Sequence, residues 1–320
     1  MVFKLKGNDV IKEQDIEVTE SLIGIYGYNN SGKTTILKEL DKVIDEENIK
    51  CIVNDGEYIR SLFIPTNRVI VRQAHTSSTQ IKDIEEFLAY KKDSYNEFDL
   101  HLRLIRENLL RNNAVRQVVK NAIIYMFGED YEFDFDRRQS DGVENIINIY
   151  CSIIWLFTWD KDIENIKYDK LKQLLCDTSA VVMIDEIEAF LHVYVQSRML
   201  QKFKEDFSKC SFVFTTHSPL LLSRYYNIRK FQLDNGILNE INADLYYKDL
   251  DNIYEVYFNV EEFPKEVGAI INRLGDYICG EEYNRDVIVK DLEILNEQYA
   301  NVKAKYPGLV AKAEVKLGVE

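Results

Sequence analysis

Residues 22–40 read LIGIYGYNNSGKTTILKEL, and the fold follows from how this stretch is parsed. Leu22, Ile23 and Ile25 form a short apolar run. Gly27-Tyr28-Asn29-Asn30-Ser31-Gly32-Lys33-Thr34 comes next, and a helix-like run follows. This is the G-x-x-x-x-G-K-[ST] pattern between a strand and a helix, the context it requires. Gly27 and Gly32 let the backbone turn and approach a ligand with no Cβ in the way. The amides of Asn29, Asn30, Ser31 and Gly32 and the helix N-terminus then point at anionic oxygens. Lys33 is expected to reach the β- and γ-phosphates and the Thr34 hydroxyl to ligate Mg²⁺, with Thr35 beside them in the binding set. The plainer alternative is a glycine-containing strand–helix turn without a ligand. The flanking strand and helix favour a nucleoside triphosphate site, with ATP and Mg²⁺ as the expected cofactors.

Working outward, the chain has 320 residues, more than one core usually holds. Hydrophobic content of 46% and charged content of 29% are those of a globular protein and exclude wholesale disorder. A net charge of −14 means that the surface as a whole repels nucleic acid, so any such contact must be a local basic patch or belong to a partner. Cys51, Cys151, Cys176, Cys210 and Cys279 are scattered and include no C-x-x-C. They read as reduced, mostly buried thiols. No leader-like stretch precedes the loop, and the expectation is a soluble cytoplasmic protein with no membrane partner. The most apolar run, IINIYCSIIWLFTW (146–159), is short for a membrane span and carries Asn148 and Ser152, so a buried helix is expected.

Before residue 73 the pattern is one of short strands around the loop helix: VFKLKG, QDIEVTE, LIGIYG, IKCIVND and RSLFIP. Residues 74–136 turn helical and charged without a sustained heptad, which reads as a compact helical insertion. Residues 137–242 return to alternating strands and helices. They close on KFQLDNGILNEI, where Asn235-Gly236 between alternating runs predicts a hairpin with a type I′ turn. Residues 243–320 are polar and helical. The predicted fold is α/β, with a mainly parallel sheet covered on both faces plus antiparallel strands, a helical insertion and a helical C-terminal region.

Hydrolysis asks for carboxylates, and AVVMIDEIEAFLH (180–192) supplies them. An apolar strand ends in Asp185-Glu186, which brings both acids to the sheet edge beside the phosphates. Asp185 is the expected Mg²⁺ ligand, directly or through water, and Glu186 the general base or water-positioning group. A buried strand that merely ends in acids at a helix start is the plainer alternative. SFVFTTHSPLLLS (211–223) brings His217 to the same edge, where it could bond a γ-phosphate. In RQSDGVENIINIY (138–150), Ser140 or Asp141 suits a helix N-cap, and the same helix start with Gly142 could bind the γ-phosphate of a nucleotide on a second protomer. Spacing does not separate these two readings.

Taken in order, GYNNSGKTT, SDGVENI, IDEIEAFLH and TTHSPLLLS resemble the ATPase heads of the ABC superfamily. More narrowly they resemble the SMC/RecF/OLD-like group with its AAA_21-type ATPases of bacterial genome defence. The resemblance covers residues ~1 to ~235, and the P-loop fold of an ABC-type head is what it implies. It further implies a head-to-tail dimer, or a higher oligomer, sandwiching ATP. Lys33, Thr34, Asp185, Glu186 and His217 would act from one subunit, and Ser140 and Gly142 from the other. The chain departs from the pattern in three places: Q-S-D-G stands for L-S-x-G, Val193 follows His192 where proline is common, and no Q-loop glutamine is evident, with Asn67 or Gln73 the candidates. An ABC transporter ATPase would need the missing Q-loop and a strong L-S-G-G-Q. A nucleotide-gated scaffold with little hydrolysis is the other alternative.

OLD enzymes carry a C-terminal nuclease. Here Asp249 and Asp251 lie in a charged, strand-poor context and read as a turn. The four histidines, His75, His101, His192 and His217, are far apart, so a nuclease effector would be a separate chain. Val267, Ile270, Ile271, Leu274 and Ile278, then Val287, Ile288, Leu292 and Leu295, recur at helical spacing. Two amphipathic helices are expected, packed on the head or docking the effector. That layout resembles the ATPase subunit of Septu-type anti-phage systems, sometimes encoded with a retron, whose partner is an HNH nuclease. Arg103, Arg106, Arg111, Arg116 and Lys120 are the one basic concentration. They read as a solvated face or, alternatively, as a nucleic-acid contact.

Overall fold

Six strands make the main sheet, in the order β4-β5-β6-β3-β7-β8: β3 (Leu22–Tyr26), β4 (Ser61–Ile64), β5 (Ala180–Ile184), β6 (Cys210–Thr216), β7 (Ile228–Asp234) and β8 (Ile237–Glu240). All neighbours pair in parallel except β7 with β8. The computed structural model describes residues 1–18, 22–53, 59–66, 105–223, 225, 227–241, 265–280, 282–299 and 306–318. β1 (Val2–Leu5) and β2 (Gln14–Glu17) form a separate antiparallel pair. Strands β3, β5 and β6 are buried along their whole length, as expected for parallel strands covered on both faces.

Side-chain alternation divides those strands between two cores. Val181, Met183 and Val213 join Phe3, Leu5 and Ile16 and the inner face of α1 (Lys33–Val53), with Ile36, Leu40 and Ile44. Phe212 turns the other way, stacked on Phe203 with ring centroids 5.5 Å apart. Phe203 lies on α5 (Val193–Asp206), beside α2 (Asn113–Phe127), α3 (Asp141–Thr158) and α4 (Tyr168–Asp177). Asn112 caps α2 by accepting from the amides of Ala114 and Val115, and its amide nitrogen donates to three carbonyls of residues 163–166.

The apolar run 146–159 does form a buried helix, α3. Ser152 and Thr158 donate to the carbonyls one turn back, and Asn148 accepts from Arg106. Among the described residues no helix is long and apolar enough to cross a membrane. Asn235 and Gly236 both adopt positive φ, 49° and 77°, as a type I′ turn requires, and a Cβ on Gly236 would fall 2.6 Å from the Val10 carbonyl. One expected strand is absent. IKCIVND does not start a strand: residues 49–53 continue α1, because extending a nucleated helix outweighs a weak local preference of β-branched residues.

At the end of α5, Asp206 is 1% exposed and accepts from the Tyr150 hydroxyl (2.8 Å), Lys172 (2.8 Å) and Lys202 (3.0 Å). Burial, and then the Asp206 charge, push the Tyr150 hydroxyl well above its ordinary pKa, so it stays a donor. Asp206→Ala strands that hydroxyl and two ammonium groups. A loss of about 3 kcal/mol is expected, read as a lower urea midpoint.

The backbone falls into two compact units, 1–250 and 251–320. In the second unit α6 (Lys265–Cys279), α7 (Arg285–Gln298) and α8 (Pro307–Leu317) pack on one another. Val267, Ile270, Leu274, Ile288, Leu292 and Leu295 are buried, while Val287 is exposed. The third helix, not anticipated from the sequence, adds Val310, Ala313 and Leu317 to that core. Arg273 grips Asp291 through two bonds of 2.8 Å. The expected insertion is described only from residue 105. Arg103, Asn67, Gln73, His75, His101, Asp249 and Asp251 lie outside the described residues.

Candidate nucleotide site

The loop after β3 turns as its glycines demand. Gly32 has φ 98° and Asn30 φ 62°, and a Cβ on Gly27 would come within 2.8 Å of the Leu233 carbonyl and the Ser31 hydroxyl. Lys33 opens α1, is 7% exposed and donates to the carbonyls of Gly27 and Tyr28, both at 2.9 Å. Burial lowers its pKa, and the carboxylates of Glu186, Asp185 and Glu188 push it back up. An ammonium on the loop thus faces three acids from the turn after β5.

Asp185 is the hub. Its Oδ2 accepts from Thr34 (2.8 Å) and Thr66 (2.9 Å), and its Oδ1 from Thr215 (2.6 Å). Strand order explains this convergence: β6 lies between β3 and β5, so Thr215, near its end, meets the strand-end acid. Thr215 also accepts from the Glu186 amide at 2.7 Å, which fixes that residue in place. Glu186 has φ 44°, a left-handed conformation that a non-glycine residue rarely adopts. Such strain, of order 1–3 kcal/mol, clusters at sites where it aims a functional group.

His217 follows β6, and its amide donates to Glu188 Oε1 at 2.5 Å. The start of α3 lies against residues 186–192. Asn145 donates to the Ala189 carbonyl at 2.6 Å, and a Cβ on Gly142 would fall 2.7 Å from the Phe190 carbonyl. Gly142 is therefore required by close packing within the subunit. Ser140 is the N-cap by backbone geometry, its carbonyl accepting from Glu144, but its side chain makes no capping bond and is exposed. Glu186, Asp185, Lys33 and Thr34 thus converge as the sequence suggested. Ser140 and Gly142 head α3, joined to that cluster through residues 189 and 190. The ring of His192 caps α5, accepting from the Tyr194 amide at 3.3 Å.

Thr66, Thr215 and Glu188 were not foreseen. Hydroxyl residues closing a buried strand, Thr215 and Thr216, were the available sign for Thr215. Arg106, read as part of a basic face, instead pairs with Glu144 and bonds Asn148 on α3. A nucleic-acid contact through Arg103, Arg106 and Arg111 loses this member, because an internal ion pair already uses its guanidinium.

The donor set suits a hard divalent ion carried with a triphosphate: a hydroxyl at the loop helix and a carboxylate that also accepts from the Thr66 and Thr215 hydroxyls. Asp185 and Thr34 would hold such an ion, which supplies charge neutralisation at the phosphates. Among the described residues, no cluster of three or more His, Cys, Asp or Glu gathers to hold a metal without one.

A P-loop whose lysine and threonine meet a strand-end Asp-Glu pair on a mainly parallel sheet defines a P-loop NTPase fold. The model of the family described as "AAA domain, putative AbiEii toxin, Type IV TA system" matches residues 171–223, the stretch with Asp185, Glu186 and His217. The chain is 28% identical over 212 residues to the Septu protein PtuA of Bacillus mycoides (strain KBAB4), covering 57% of this chain and 29% of that protein. It is 23% identical over 176 residues to the retron Ec83 probable ATPase of Escherichia coli, covering 48% and 32%. It thus spans about a third or less of these curated relatives. Solved structures that superpose on it include the ATP binding subunit of an ABC transporter, with TM-score 0.41, 17% identity, and 79% and 96% of the two chains covered. The chain is thus distantly similar to ATPases of defence-associated families.

Proposed function

We propose that this chain hydrolyses ATP with Mg²⁺ inside a head-to-tail sandwich and, through the nucleotide-dependent closing of that sandwich, controls a separate nuclease effector in cytoplasmic anti-phage defence. The observation that carries the reading is the convergence on Asp185 of Thr34 from the loop helix and Thr215 from β6, with Glu186 alongside. Lys33 and the loop amides hold the triphosphate. Glu186 orients and deprotonates the attacking water, and His217 faces the γ-phosphate. Electrostatic positioning is most of what phosphoryl transfer asks of a protein.

Ser140 and Gly142 belong to the trans half of the site. The exposed Ser140 hydroxyl, left without a capping role at the start of an 18-residue helix, supports this placement. Exposed Phe190, Val193 and Tyr194 beside it give the face apolar area to bury. The defence role and the nuclease partner rest on the likeness to PtuA and the retron ATPase. The three-helix unit 251–320 is the proposed effector dock.

Complementation tests the sandwich. Ser140→Arg blocks the trans half and Lys33→Ala the cis half, so each variant alone should lose turnover. Mixed, they assemble one intact composite site, and Mg²⁺-dependent phosphate release should partly return. No recovery in mixtures shown to contain heterodimers would rule out the head-to-tail arrangement.

A further inference from the structure

Glu188 lies on the turn of residues 185–190 that leaves β5, three positions past Asp185. The phosphate chemistry described above gives it no task, yet it is held tightly. Its Oε1 accepts from the His217 amide at 2.5 Å, and its Oε2 is buried with no hydrogen-bond partner in the structure. Burial raises the Glu188 pKa, and the amides of His217 and of Glu188 itself, with the Thr216 hydroxyl, pull it back. A buried carboxylate oxygen without a donor is costly, which argues for a specific role.

The neighbourhood indicates the role. Glu186 and His217 sit at the ends of adjacent strands, and two bonds set their relation. On one side the Thr215 hydroxyl accepts from the Glu186 amide, and on the other Glu188 accepts from the His217 amide. Continuing outward, the Ser218 hydroxyl donates to Gln196 at 2.7 Å, and the Gln196 amide donates to the Leu191 carbonyl at 2.8 Å. The turn that carries Glu186 and the loop that carries His217 are thus tied at both ends, and the Glu188–His217 bond is the tie at His217 itself.

We infer that Glu188 is a positioning residue: through its hydrogen bond to the His217 amide it sets His217 against Glu186. The consequence for turnover rests on the ATPase reading proposed above, whereas the positioning does not. What matters is an acceptor at the right reach, with no requirement for negative charge. Glu188→Gln keeps the acceptor without the charge. Glu188→Asp keeps the charge and withdraws the acceptor by one methylene.

Selective ¹⁵N-histidine labelling of the full chain gives four backbone signals, and His217→Ala assigns the one that matters. In Glu188→Asp and Glu188→Ala the His217 amide proton should move upfield as its acceptor is lost, while in Glu188→Gln it should stay near the wild-type position. Turnover should follow the same order: kcat about tenfold lower in Asp and Ala, restored in Gln, with KM for ATP little changed. In a His217→Ala background, Glu188→Ala should cost nothing more. An unmoved His217 resonance in the Asp variant overturns the inference. So does Gln behaving worse than Asp, or a loss that adds fully to that of His217→Ala. Wild-type protein without turnover would instead sink the ATPase reading, and the resonances alone would still decide the positioning.

Discussion

Glu186→Gln is expected to lower steady-state ATP turnover by about a thousandfold, the scale of a lost general base, while nucleotide binding survives. Glutamine preserves the size of the side chain. The backbone position is set by Thr215 bonding the residue 186 amide, a contact that the substitution leaves in place. Lys33, Thr34 and Asp185 still hold the triphosphate and its ion. The uncleaved γ-phosphate should therefore persist between subunits, and the variant should run as a dimer in size-exclusion chromatography with Mg²⁺-ATP. The expected pair of results is turnover lost and dimer gained. A nucleotide-gated scaffold would respond differently, since its closed state does not depend on cleavage and Glu186→Gln would alter neither quantity. Phosphate release and elution volume, measured on the same preparation, decide between them.

Lys33→Ala should have the second largest effect, a loss of nucleotide affinity of about a hundredfold, as expected for losing charge-assisted bonds to phosphate. Its electrostatic setting amplifies the change. Lys33 sits within the field of Glu186, Asp185 and Glu188, and its ammonium offsets their combined repulsion of an incoming polyanion. Without it the three acids face the triphosphate with only the metal ion between them. Stability without nucleotide should change little, because the substitution also removes a buried charge whose own pKa burial had lowered. Titration with a fluorescent ATP analogue measures the affinity, and a melt without nucleotide checks the fold. Wild-type affinity in Lys33→Ala would mean that the loop does not grip phosphate through this side chain.

The features that could be read in advance are those dictated by contiguous residues and by the backbone itself. Gly32 at φ 98° and Asn235-Gly236 at positive φ are conformations that few residues tolerate, so local sequence announces them. Burial on both faces makes β3 and β5 uninterrupted apolar runs, and it makes 146–159 a helix without a polar face. The run 49–53 misled because β-branched preference is weak beside the propagation of a helix that began at Lys33.

The sequence by itself thus determined the phosphate loop, the acid pair at a strand end and the order in which they occur. Only the tertiary structure decided which groups gather around Asp185. Thr66, just past β4, and Thr215, on β6, lie 119 and 30 residues away from it, and they meet because β5 lies beside both β4 and β6. The same holds for Glu188 under the His217 amide and for Arg106 turned inward onto Glu144. Such pairings depend on strand order and helix packing, which the whole hydrophobic core selects and no short motif encodes.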